Sequence, residues 1–581
     1  MATSRTRIRA VGTTALLLTM VFVSACSGNN DNKGEESAKP SASASASSSA
    51  SESAAAPAAE EGPLTKYAEP VTVTTVRDLN SGTKFQEGVS LADNVWIKSF
   101  KEDLNINVDT KWVVSDQQYN NKVTVSMVSG DLPDLIRVND QQLQLLIQAD
   151  QILPLNDLFD KYASDLVKEA FGPLDNPTMQ SASSNGKLMA IPNGGGEYSD
   201  MSMLWIRNDW LKAVGMEPPK TMDDVVAIAK AFANNDPDKN GKKDTYGLSL
   251  DYNLFNGWSG LDGFFNGYHA YPYNPAKGGG INLTFQSVDG KPVYADTQPQ
   301  VKTALAKLQE LFKAGAINPE FSVLDGGKSA EVVTQGKIGM SFGQWWVGTW
   351  PINNMKKDNP EVDWGVYPIV SSDGEPVKVL STGFKPTYYY VINKNAKNPE
   401  AVFKMLNYFM EKVEGPNQVE SYHHVVEGET EYSIWSLAPI VGFFKNKNAS
   451  DNAMIQEALK SGDESVLKTP SSKSQYQFVK EYQAGDLSKW GNNAIFGPGG
   501  SWSVLADYIN NDQVFTSAYV GGPTETMISK GPSLRDDQAT TFTQIIMGAK
   551  PIEEFDAWAQ RWHEQGGNQI LEEVANSGMF K

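Results

Sequence analysis

The chain has 581 residues, of which 40% are hydrophobic and 10% aromatic, a composition typical of globular proteins. Its 50 Lys and Arg residues are outnumbered by 69 Asp and Glu residues, which gives a formal net charge of -19 at pH 7. Phosphate backbones require clustered cations, and no basic cluster interrupts the acidic excess, so the sequence argues against nucleic acid as a partner. A single cysteine cannot form a disulfide within the chain, so core packing, with or without a metal, has to hold the fold.

Residues 1–25 have the pattern of a secretory signal peptide, with three arginines before the apolar stretch 11–23. This stretch is shorter than the ~20 apolar residues that a membrane helix needs. The run Val-Ser-Ala-Cys that ends at Cys26 resembles the lipobox of bacterial lipoproteins, which implies cleavage before Cys26 and lipidation of that residue. The alternative is an ordinary signal peptide followed by an incidental cysteine.

Residues 26–66 are rich in Ser and Ala and contain few large apolar side chains. Such a segment cannot bury enough surface to offset the entropy of ordering it, so we expect a disordered, lipid-anchored tether. The folded part is predicted to be 67–581, long enough for two or three domains.

Strand and helix patterns alternate along the folded part, which predicts an α/β architecture. Residues 71–76 and 106–110 have the composition or alternation of strands, and 132–136 restarts extended structure. Tyr119, Val123 and Met127 recur every four residues and predict one helix face. Later helices are predicted to start at Thr221, where Asp224 completes a capping box, at Pro399 and at Pro551.

Several short runs occur in the order found in one protein family. They are SGDLPDLI at 129–136, GKLMAIP at 186–192, LWIRNDWL at 204–211, GKIGM at 336–340, YVINK at 390–394 and FTQIIMG at 542–548. In sequence and in order these runs resemble landmarks of the extracellular solute-binding proteins of family 1, the ligand-capturing components of ABC importers. The resemblance is strongest to long carbohydrate-binding members, including alginate-oligosaccharide binders and polysaccharide-uptake lipoproteins.

The resemblance implies a type II periplasmic-binding-protein fold with two discontinuous α/β lobes and a ligand cleft between them. The implied N-lobe comprises 67–193 plus 369–415, and the C-lobe comprises 194–368 plus 416–581. The implied function is capture of an oligosaccharide and its delivery to ABC permease subunits. We therefore expect a monomer, lipid-anchored on the extracellular face of a Gram-positive cell membrane. The net negative charge disfavours polyanionic sugars unless cations local to the site offset it.

The chain is well supplied with aromatic residues for a sugar site, with 14 Trp and 21 Tyr. Sugars present flat C–H faces between hydroxyls, so their sites combine aromatic rings with a few placed polar groups. The resemblance implies stacking at Trp345 or Trp346, in the same run as Trp350, and less strongly at Trp258 and Trp502. For each tryptophan the alternative is core packing. Near the expected lobe crossing, polar partners are predicted to be Asn193, Glu197 and Asp200.

A calcium loop is predicted at 236–244. Oxygen side chains occupy positions 1, 3, 5 and 9 of an EF-hand-like pattern, with Gly at position 6 and a backbone carbonyl at position 7. The predicted Ca²⁺ ligands, for a structural ion, are Asp236, Asp238, Asn240, the carbonyl of Lys242, and Asp244.

The loop departs from the pattern at position 12, where Gly247 replaces the bidentate Glu. Alginate-binding relatives place an acid after the last Asp, and here that residue is Thr245. A ligand is missing, or a carbonyl, a water or a distant acid such as Asp251 supplies it. The alternative is a solvated polar turn.

Two other classes of function remain as alternatives. A secreted hydrolase would use Ser341, in the G-x-S-x-G run 339–343, with His423, His424 or His563 as base. A glycosidase or lyase would instead need paired carboxylates, which one sequence cannot identify. The flanks of Ser341 match a strand of the binding-protein family, so we predict that the protein is not an enzyme. A cell-surface sugar sensor would bind ligand without depending on a transporter.

Overall fold

The computed structural model describes residues 62–80, 82–193, 198–255, 257–274, 283–382, 386–415, 418–428, 430–445 and 447–581. The predicted signal peptide, Cys26, most of the predicted tether and Glu197 lie outside the described residues. Residues 62–66, which fall within the segment expected to be tether, are held against the body by hydrogen bonds. Lys404 Nζ donates to the carbonyl of Thr65 (2.6 Å) and Asn407 Nδ2 to that of Pro63 (2.9 Å).

Seventeen β-strands, numbered in chain order, occur in the described residues. They are β1 Val71–Leu79, β2 Ile106–Ser115, β3 Leu135–Val138, β4 Ser183–Ser184, β5 Lys187–Leu188, β6 Ile191–Asn193, β7 Met203–Arg207, β8 Tyr246–Leu248, β9 Phe285–Val288, β10 Lys291–Tyr294, β11 Ile338–Gly343, β12 Trp364–Tyr367, β13 Val379–Leu380, β14 Tyr388–Ile392, β15 His424–Glu427, β16 Thr430–Ser433 and β17 Val514–Phe515.

Twenty-one α-helices accompany these strands in the same described ranges. They are α1 Val95–Leu104, α2 Asp116–Ser129, α3 Asp140–Gln148, α4 Asn156–Tyr162, α5 Asp165–Phe171, α6 Pro177–Ser181, α7 Asn208–Val214, α8 Met222–Asn234, α9 Asp262–Asn266, α10 Pro299–Lys313, α11 Gly326–Thr334, α12 Ile352–Asp358, α13 Glu400–Val413, α14 Glu420–His423, α15 Lys447–Ser461, α16 Pro470–Gln483, α17 Trp490–Phe496, α18 Ser501–Asn510, α19 Glu525–Ile546, α20 Glu554–Trp562 and α21 Asn568–Asn576. Within the described part of the chain, none of the helices is both long and apolar enough to cross a lipid bilayer.

The first large sheet has five strands in the order β2-β1-β3-β14-β6. β1 pairs in parallel with β2 and with β3, so the carboxyl ends of these three strands lie at one edge. β14 comes from much later in the chain and pairs antiparallel with both β3 and β6. The amino end of β14, starting at Tyr388, therefore meets the carboxyl end of β3.

The second large sheet has four strands in the order β12-β7-β11-β8. β7 pairs antiparallel with β11 and β12, and β11 pairs in parallel with β8. Every residue of β7 and of β11 is buried, as expected for a sheet that helices cover on both faces. This sheet is the centre of the larger hydrophobic core.

The buried apolar residues form two large, separate cores, and these define two lobes. One core takes residues from 73–191 and 389–441, and the other from 201–379 and 455–574. The α/β, two-lobed and discontinuous fold expected from the sequence is confirmed. The lobe boundaries differ from those expected: Ile369 and Val379 pack in the second core, whereas Ile434 and Val441 pack in the first. The family landmarks lie inside strands and helices and therefore do not locate these crossings.

Local sequence accounts for several of the elements. The predicted capping box is present, because the Thr221 hydroxyl accepts from the Asp224 amide and the Asp224 carboxylate accepts from the Thr221 amide. In α2 the predicted positions Tyr119, Val123 and Met127 are buried, and the helix ends at Gly130 in the left-handed region at φ 73°.

The start of β3 lies three residues later than predicted. The Asp134 carboxylate accepts hydrogen bonds from the amide and the hydroxyl of Thr74 at 2.8 and 2.7 Å. These bonds hold the residue just before β3 against β1. A side-chain contact across 60 residues has no signature in the local pattern.

Because the two cores are separate, we expect Phe409→Ala to destabilise the first lobe selectively. Phe409 is fully buried and stacks on Trp96, with ring centroids 5.0 Å apart. Removing a buried Phe side chain costs about 3–5 kcal/mol, whereas the 86% exposed Val128 should tolerate Val128→Ala within about 0.5 kcal/mol. Urea unfolding followed by far-UV circular dichroism measures both variants. Equal midpoints for Phe409→Ala and Val128→Ala would contradict the packing described here.

Candidate ligand-binding site

A cavity of about 220 Å³ lies at the carboxyl edge of the first sheet. It is lined by residues 75–79 of β1 and the following Asn80, Arg137 of β3, Tyr388 and Tyr390 of β14, and the segment 435–439. Ligands of α/β sheets characteristically bind beyond the carboxyl ends of parallel strands. The position of this cavity in the fold is therefore that of a ligand site.

Arg77 joins the end of β1 to the far wall of the cavity. Its Nη1 donates to the carbonyl of Leu437 and its Nη2 to that of Ser436, each at 3.0 Å. Burial lowers the pKa of Arg77 below its ordinary value, and repulsion from Arg137 acts in the same direction. An arginine stays protonated even so, which places a fixed positive charge at the cavity wall.

Arg137 lines the same cavity and lies close to two aromatic rings. Its guanidinium carbon is 4.7 Å from the ring centroids of both Tyr119 and Tyr388, and its Nη2 is 2.8 Å from the Asp78 carboxylate. Burial by itself lowers the pKa of Arg137, but Asp78 and Tyr119 outweigh burial and raise it above the ordinary value. Both rings lie within cation–π distance of the guanidinium.

Aromatic rings complete the cavity wall. Tyr388 and Tyr390 pack edge to face, with centroids 5.6 Å apart, and the half-buried Trp435 packs edge to face on Phe443 at 5.3 Å. These rings give the cavity the mixture of flat apolar surface and placed polar groups that small-molecule sites share.

The predicted ligand contact Asn193 adjoins this cavity. It pairs with Tyr388 across β6 and β14, and its Nδ2 donates to the carbonyl of Val441, another lining residue. Asn193 is only 7% exposed, so in this structure it fastens the cavity wall. Its role in ligand contact stays a prediction.

The predicted tryptophans gather in the second lobe. Trp345 and Trp346 are half-buried and Trp350 is 40% exposed, whereas Trp258 and Trp502 are 2% and 5% exposed. The alternative of core packing therefore fits Trp258 and Trp502 best. Ring contacts link them in two groups: Trp345 lies 5.5 Å from Trp502, whereas Trp350 lies 5.5 Å from Trp258 and 6.2 Å from Trp346.

Hydrogen bonds fix the position of this tryptophan cluster, defined as Trp258, Trp345, Trp346, Trp350 and Trp502. Gln344 makes two of these bonds. Its side-chain Oε1 accepts from the Trp346 indole at 2.9 Å, and its backbone N–H donates to the Gly257 carbonyl at 2.8 Å. A Cβ on Gly257 would lie 3.0 Å from the Gln344 side chain, so glycine permits this close approach. The exposed edges of the cluster are consequently preorganised.

Asp200, predicted as a polar partner of the ligand, forms hydrogen bonds within the protein. Its carboxylate accepts from the Ser381 hydroxyl at 2.8 Å and from the amide and hydroxyl of Thr382. Burial raises its pKa above the ordinary value. Asp200 therefore fastens the segment that leads from β13 towards β14.

Ser341 does not have the setting of a nucleophile. It lies inside β11 and not on a sharp turn, it is 2% exposed, and its hydroxyl donates to the carbonyl of Trp258 at 2.8 Å. Among the described residues, no histidine contacts this hydroxyl. The G-x-S-x-G run is here a buried strand.

The predicted calcium loop forms a tight polar turn. Asp236, Lys239 and Gly241 have φ values of 48°, 56° and 73°, in the left-handed region. Asn240 Nδ2 donates to Asp238 at 2.7 Å and to Asp244 at 3.0 Å, which directs both carboxylates to one point. The amides of Asn240 and Gly241 each donate to Asp236 at 3.0 Å.

The departures from the calcium pattern have structural reasons. A Cβ at Gly247 would lie 2.2 Å from the backbone of Ala229, so no glutamate fits at that position. Thr245 is buried and its hydroxyl donates to the Phe232 carbonyl at 2.7 Å. Across the described residues, no three acidic, histidine or cysteine side chains converge closely enough to hold a metal ion.

A larger cavity of about 450 Å³ lies where the chain passes between the two cores. Its lining has three acids, Glu169, Glu414 and Asp451, against two lysines, Lys445 and Lys447, and Lys447 Nζ is 2.8 Å from the Glu414 carboxylate. Beside this pair, burial and the charge of Lys447 lower the pKa of His423 to about 2. The smaller cavity is the better candidate because its wall combines aromatic rings with an excess of cations.

Sequence reasoning missed the functional candidates of the first lobe: Arg77, Arg137, Tyr388, Tyr390 and Trp435. A signal was present, since the two arginines interrupt apolar strand runs, VTVTTVRDL and LIRV. Burying a charged side chain costs free energy unless the charge is paired or hydrogen-bonded, so an arginine inside such a run indicates a specific contact.

Comparisons with known proteins agree with this fold. The curated relatives include the lipoprotein LipO of Bacillus subtilis, 24% identical over 82% of this chain and 87% of that protein. They also include a fructooligosaccharide ABC transporter substrate-binding protein, FusA of Streptococcus pneumoniae (27% over 54% and 56%), and a polygalacturonan/rhamnogalacturonan-binding protein, YtcQ of Bacillus subtilis (22% over 82% and 86%).

Solved structures show the same fold. A FusA EF-hand mutant of Streptococcus pneumoniae in complex with fructo-nystose has a TM-score of 0.61 at 18% identity, over 87% of this chain and 98% of that one. The alginate-binding protein AlgQ2 without calcium ion has a TM-score of 0.58 at 16% identity, over 88% and 98%. A model of the family described as bacterial extracellular solute-binding protein matches residues 78–414, more than half of the chain. The chain therefore belongs to the bacterial extracellular solute-binding protein family.

Proposed function

We propose that this protein is the substrate-binding lipoprotein of an ABC importer and captures an oligosaccharide between its two lobes. The observation that carries the proposal is the cavity at the carboxyl edge of the first sheet, with Arg77, Arg137 and Trp435 in its wall. The tryptophan cluster supplies stacking surface in the second lobe. Relatives named for fructooligosaccharide and for pectin-type polysaccharides support a carbohydrate ligand.

In this mechanism a ligand held by groups of both lobes stabilises a closed arrangement, which the permease recognises. The ligand can shift the balance only by its differential affinity for the closed state, and a shift from 1:99 to 99:1 requires about 5.5 kcal/mol. No covalent step is needed. The protein binds its sugar and releases it unchanged.

Trp346→Ala should weaken oligosaccharide binding. Losing a stacking ring from a binding site costs about 2 kcal/mol, roughly 30-fold in Kd. The matched control is Tyr252→Ala, an aromatic of the same lobe that is 48% exposed and outside the cluster. Thermal-shift screening against fructo-, galacto- and pectic oligosaccharides finds the ligand, and titration calorimetry measures Kd. Unchanged affinity in Trp346→Ala, Trp345→Ala and Trp350→Ala alike would exclude the cluster as a binding surface.

Chromatography of the incubated sugar separates a receptor from an enzyme. We expect the oligosaccharide to be recovered intact, because Ser341 is a buried strand residue without a base beside it. Cleavage products that disappear in Ser341→Ala would instead establish a hydrolase.

A structural Ca²⁺ ion in the loop 236–244 is a second part of the proposal. The donor set is that of a hard cation: the carboxylates of Asp236, Asp238 and Asp244, the amide oxygen of Asn240 and the carbonyl of Lys242. Bound calcium would supply charge neutralisation between these carboxylates and cross-link the turn between α8 and β8. The names of the two structural neighbours, without calcium ion and EF-hand mutant, favour the same interpretation.

Calcium should therefore raise the melting temperature of the protein. Ligands that bind only the folded state stabilise by about 2.7 kcal/mol at one hundred times Kd. Scanning calorimetry in EDTA and in CaCl₂ measures the shift, and Asp244→Asn should reduce it while the exposed control Asp512→Asn should not. Identical melting curves in EDTA and in CaCl₂ would contradict a calcium site in this loop.

The lipid anchor rests on Cys26. Cys26→Ser should move the protein from the membrane fraction to the medium, because one acyl chain adds about 0.8 kcal/mol of membrane affinity per buried CH₂. Cell fractionation with sugar-uptake assays measures this, and the released protein should bind sugar with unchanged Kd. Normal uptake by cells whose protein is entirely in the medium would contradict the link between anchor and transport.

A further inference from the structure

The cavity of the first lobe carries an excess of positive charge in a strongly acidic protein. Its lining residues include two arginines, Arg77 and Arg137, and one acid, Asp78. The chain as a whole has a net charge of -19. The composition of the whole chain therefore does not account for the excess of arginines in this cavity.

Arginine is scarce in the folded part of the chain. Of the eight arginines, three lie in the first 25 residues and five in the described body. Four of these five form ion pairs with acids, namely Arg137 with Asp78, Arg207 with Asp209, Arg535 with Asp536, and Arg561 with Asp537 and Glu554. Arg77 has no acidic ion-pair partner in the ranges that the structure describes.

Arg77 also retains hydrogen-bonding capacity. A guanidinium has five N–H donors, and two of them bind the carbonyls of Leu437 and Ser436. No other acceptor for Arg77 occurs among the described residues. Those two bonds fix the orientation of the guanidinium, so a partner that arrives would meet a donor already in place.

Arg137 presents a complementary surface. The ring centroids of Tyr119 and Tyr388 each lie 4.7 Å from its guanidinium carbon, and its Nη2 is 2.8 Å from the Asp78 carboxylate. Asp78 neutralises one of the two guanidinium charges. The cavity is left with about one net positive charge, which a singly charged oxyanion would match.

We propose that this cavity binds the anionic group of an acidic sugar residue, a carboxylate or a sulfate ester, and so selects charged over neutral oligosaccharides. The inference rests on the proposed function, since it assigns the ligand class of the same site. Arg77 is the specificity-determining donor, Arg137 adds the second positive charge, and Trp435 offers a ring to the face of the sugar. The anion would gain a charge-assisted hydrogen bond from the N–H donors of Arg77 that the carbonyls of Leu437 and Ser436 do not use.

Titration calorimetry with four trisaccharide probes tests this inference on the full-length protein in detergent. The anionic probes are trigalacturonate and a sulfated galactotriose; the neutral probes are fully methyl-esterified trigalacturonate and unmodified galactotriose. We expect at least one anionic probe to bind tenfold or more tightly than its neutral counterpart. Arg77→Met, which keeps the apolar stem, should abolish that preference, while Arg561→Met in the second lobe should leave it unchanged.

A measurement on the unmodified protein covers the case in which Arg77→Met does not fold. Raising NaCl from about 0.05 M to about 0.5 M should weaken binding of the anionic probe and leave the neutral probe unaffected. Equal affinities for anionic and neutral probes, or a preference that survives in a folded Arg77→Met protein, would overturn the inference while leaving the proposed function intact. Binding of no sugar, charged or neutral, would overturn the proposed function itself.

Discussion

The insertion of β14 between β3 and β6 is the constraint on which the rest of this structure depends. The chain builds four strands of the first sheet, β1, β2, β3 and β6, and leaves to form most of the second core. It then returns with β14, which runs antiparallel to β3 and β6. Neither core is contiguous in sequence, so the two lobes are tied together by several crossings. This connectivity allows the lobes to move relative to one another about a few segments while each core stays packed.

The same insertion creates the candidate site. Because β14 runs antiparallel to β3, its first residues, Tyr388 and Tyr390, lie where β3 ends, beside Arg137. The parallel pairing of β1 with β3 places Arg77 at the same edge. Cations and aromatic rings from distant parts of the chain thereby form one wall; Arg77 and Tyr390, for example, are 313 residues apart. The protein is acidic overall, yet the residues that line this cavity carry a net positive charge.

The sequence was informative where a pattern is local. The capping box at Thr221, the buried face of α2 and the helix after Pro399 follow from spacing and propensity, and the ordered landmarks were enough to identify the fold. It was uninformative where tertiary contacts decide. Asp134 binds Thr74 just before β3, and no glutamate fits at position 247 because Ala229 leaves no room for a side chain there. The predicted tryptophans are a further example. Tertiary packing buries Trp258 and Trp502 but not Trp350, and the spacing of the residues in the sequence does not reveal this difference.

The central claim is that sugar binding closes one lobe on the other, and a distance measured between the lobes tests it most directly. Val128 in the first lobe and Val323 in the second are 86% and 70% exposed, so both accept a cysteine-linked fluorophore in a Cys26→Ser background. Single-molecule energy transfer should show one distribution without ligand and a second, shifted distribution at saturating oligosaccharide, with the sugar recovered unchanged. An identical distribution with and without a sugar that calorimetry shows to be bound would contradict the account.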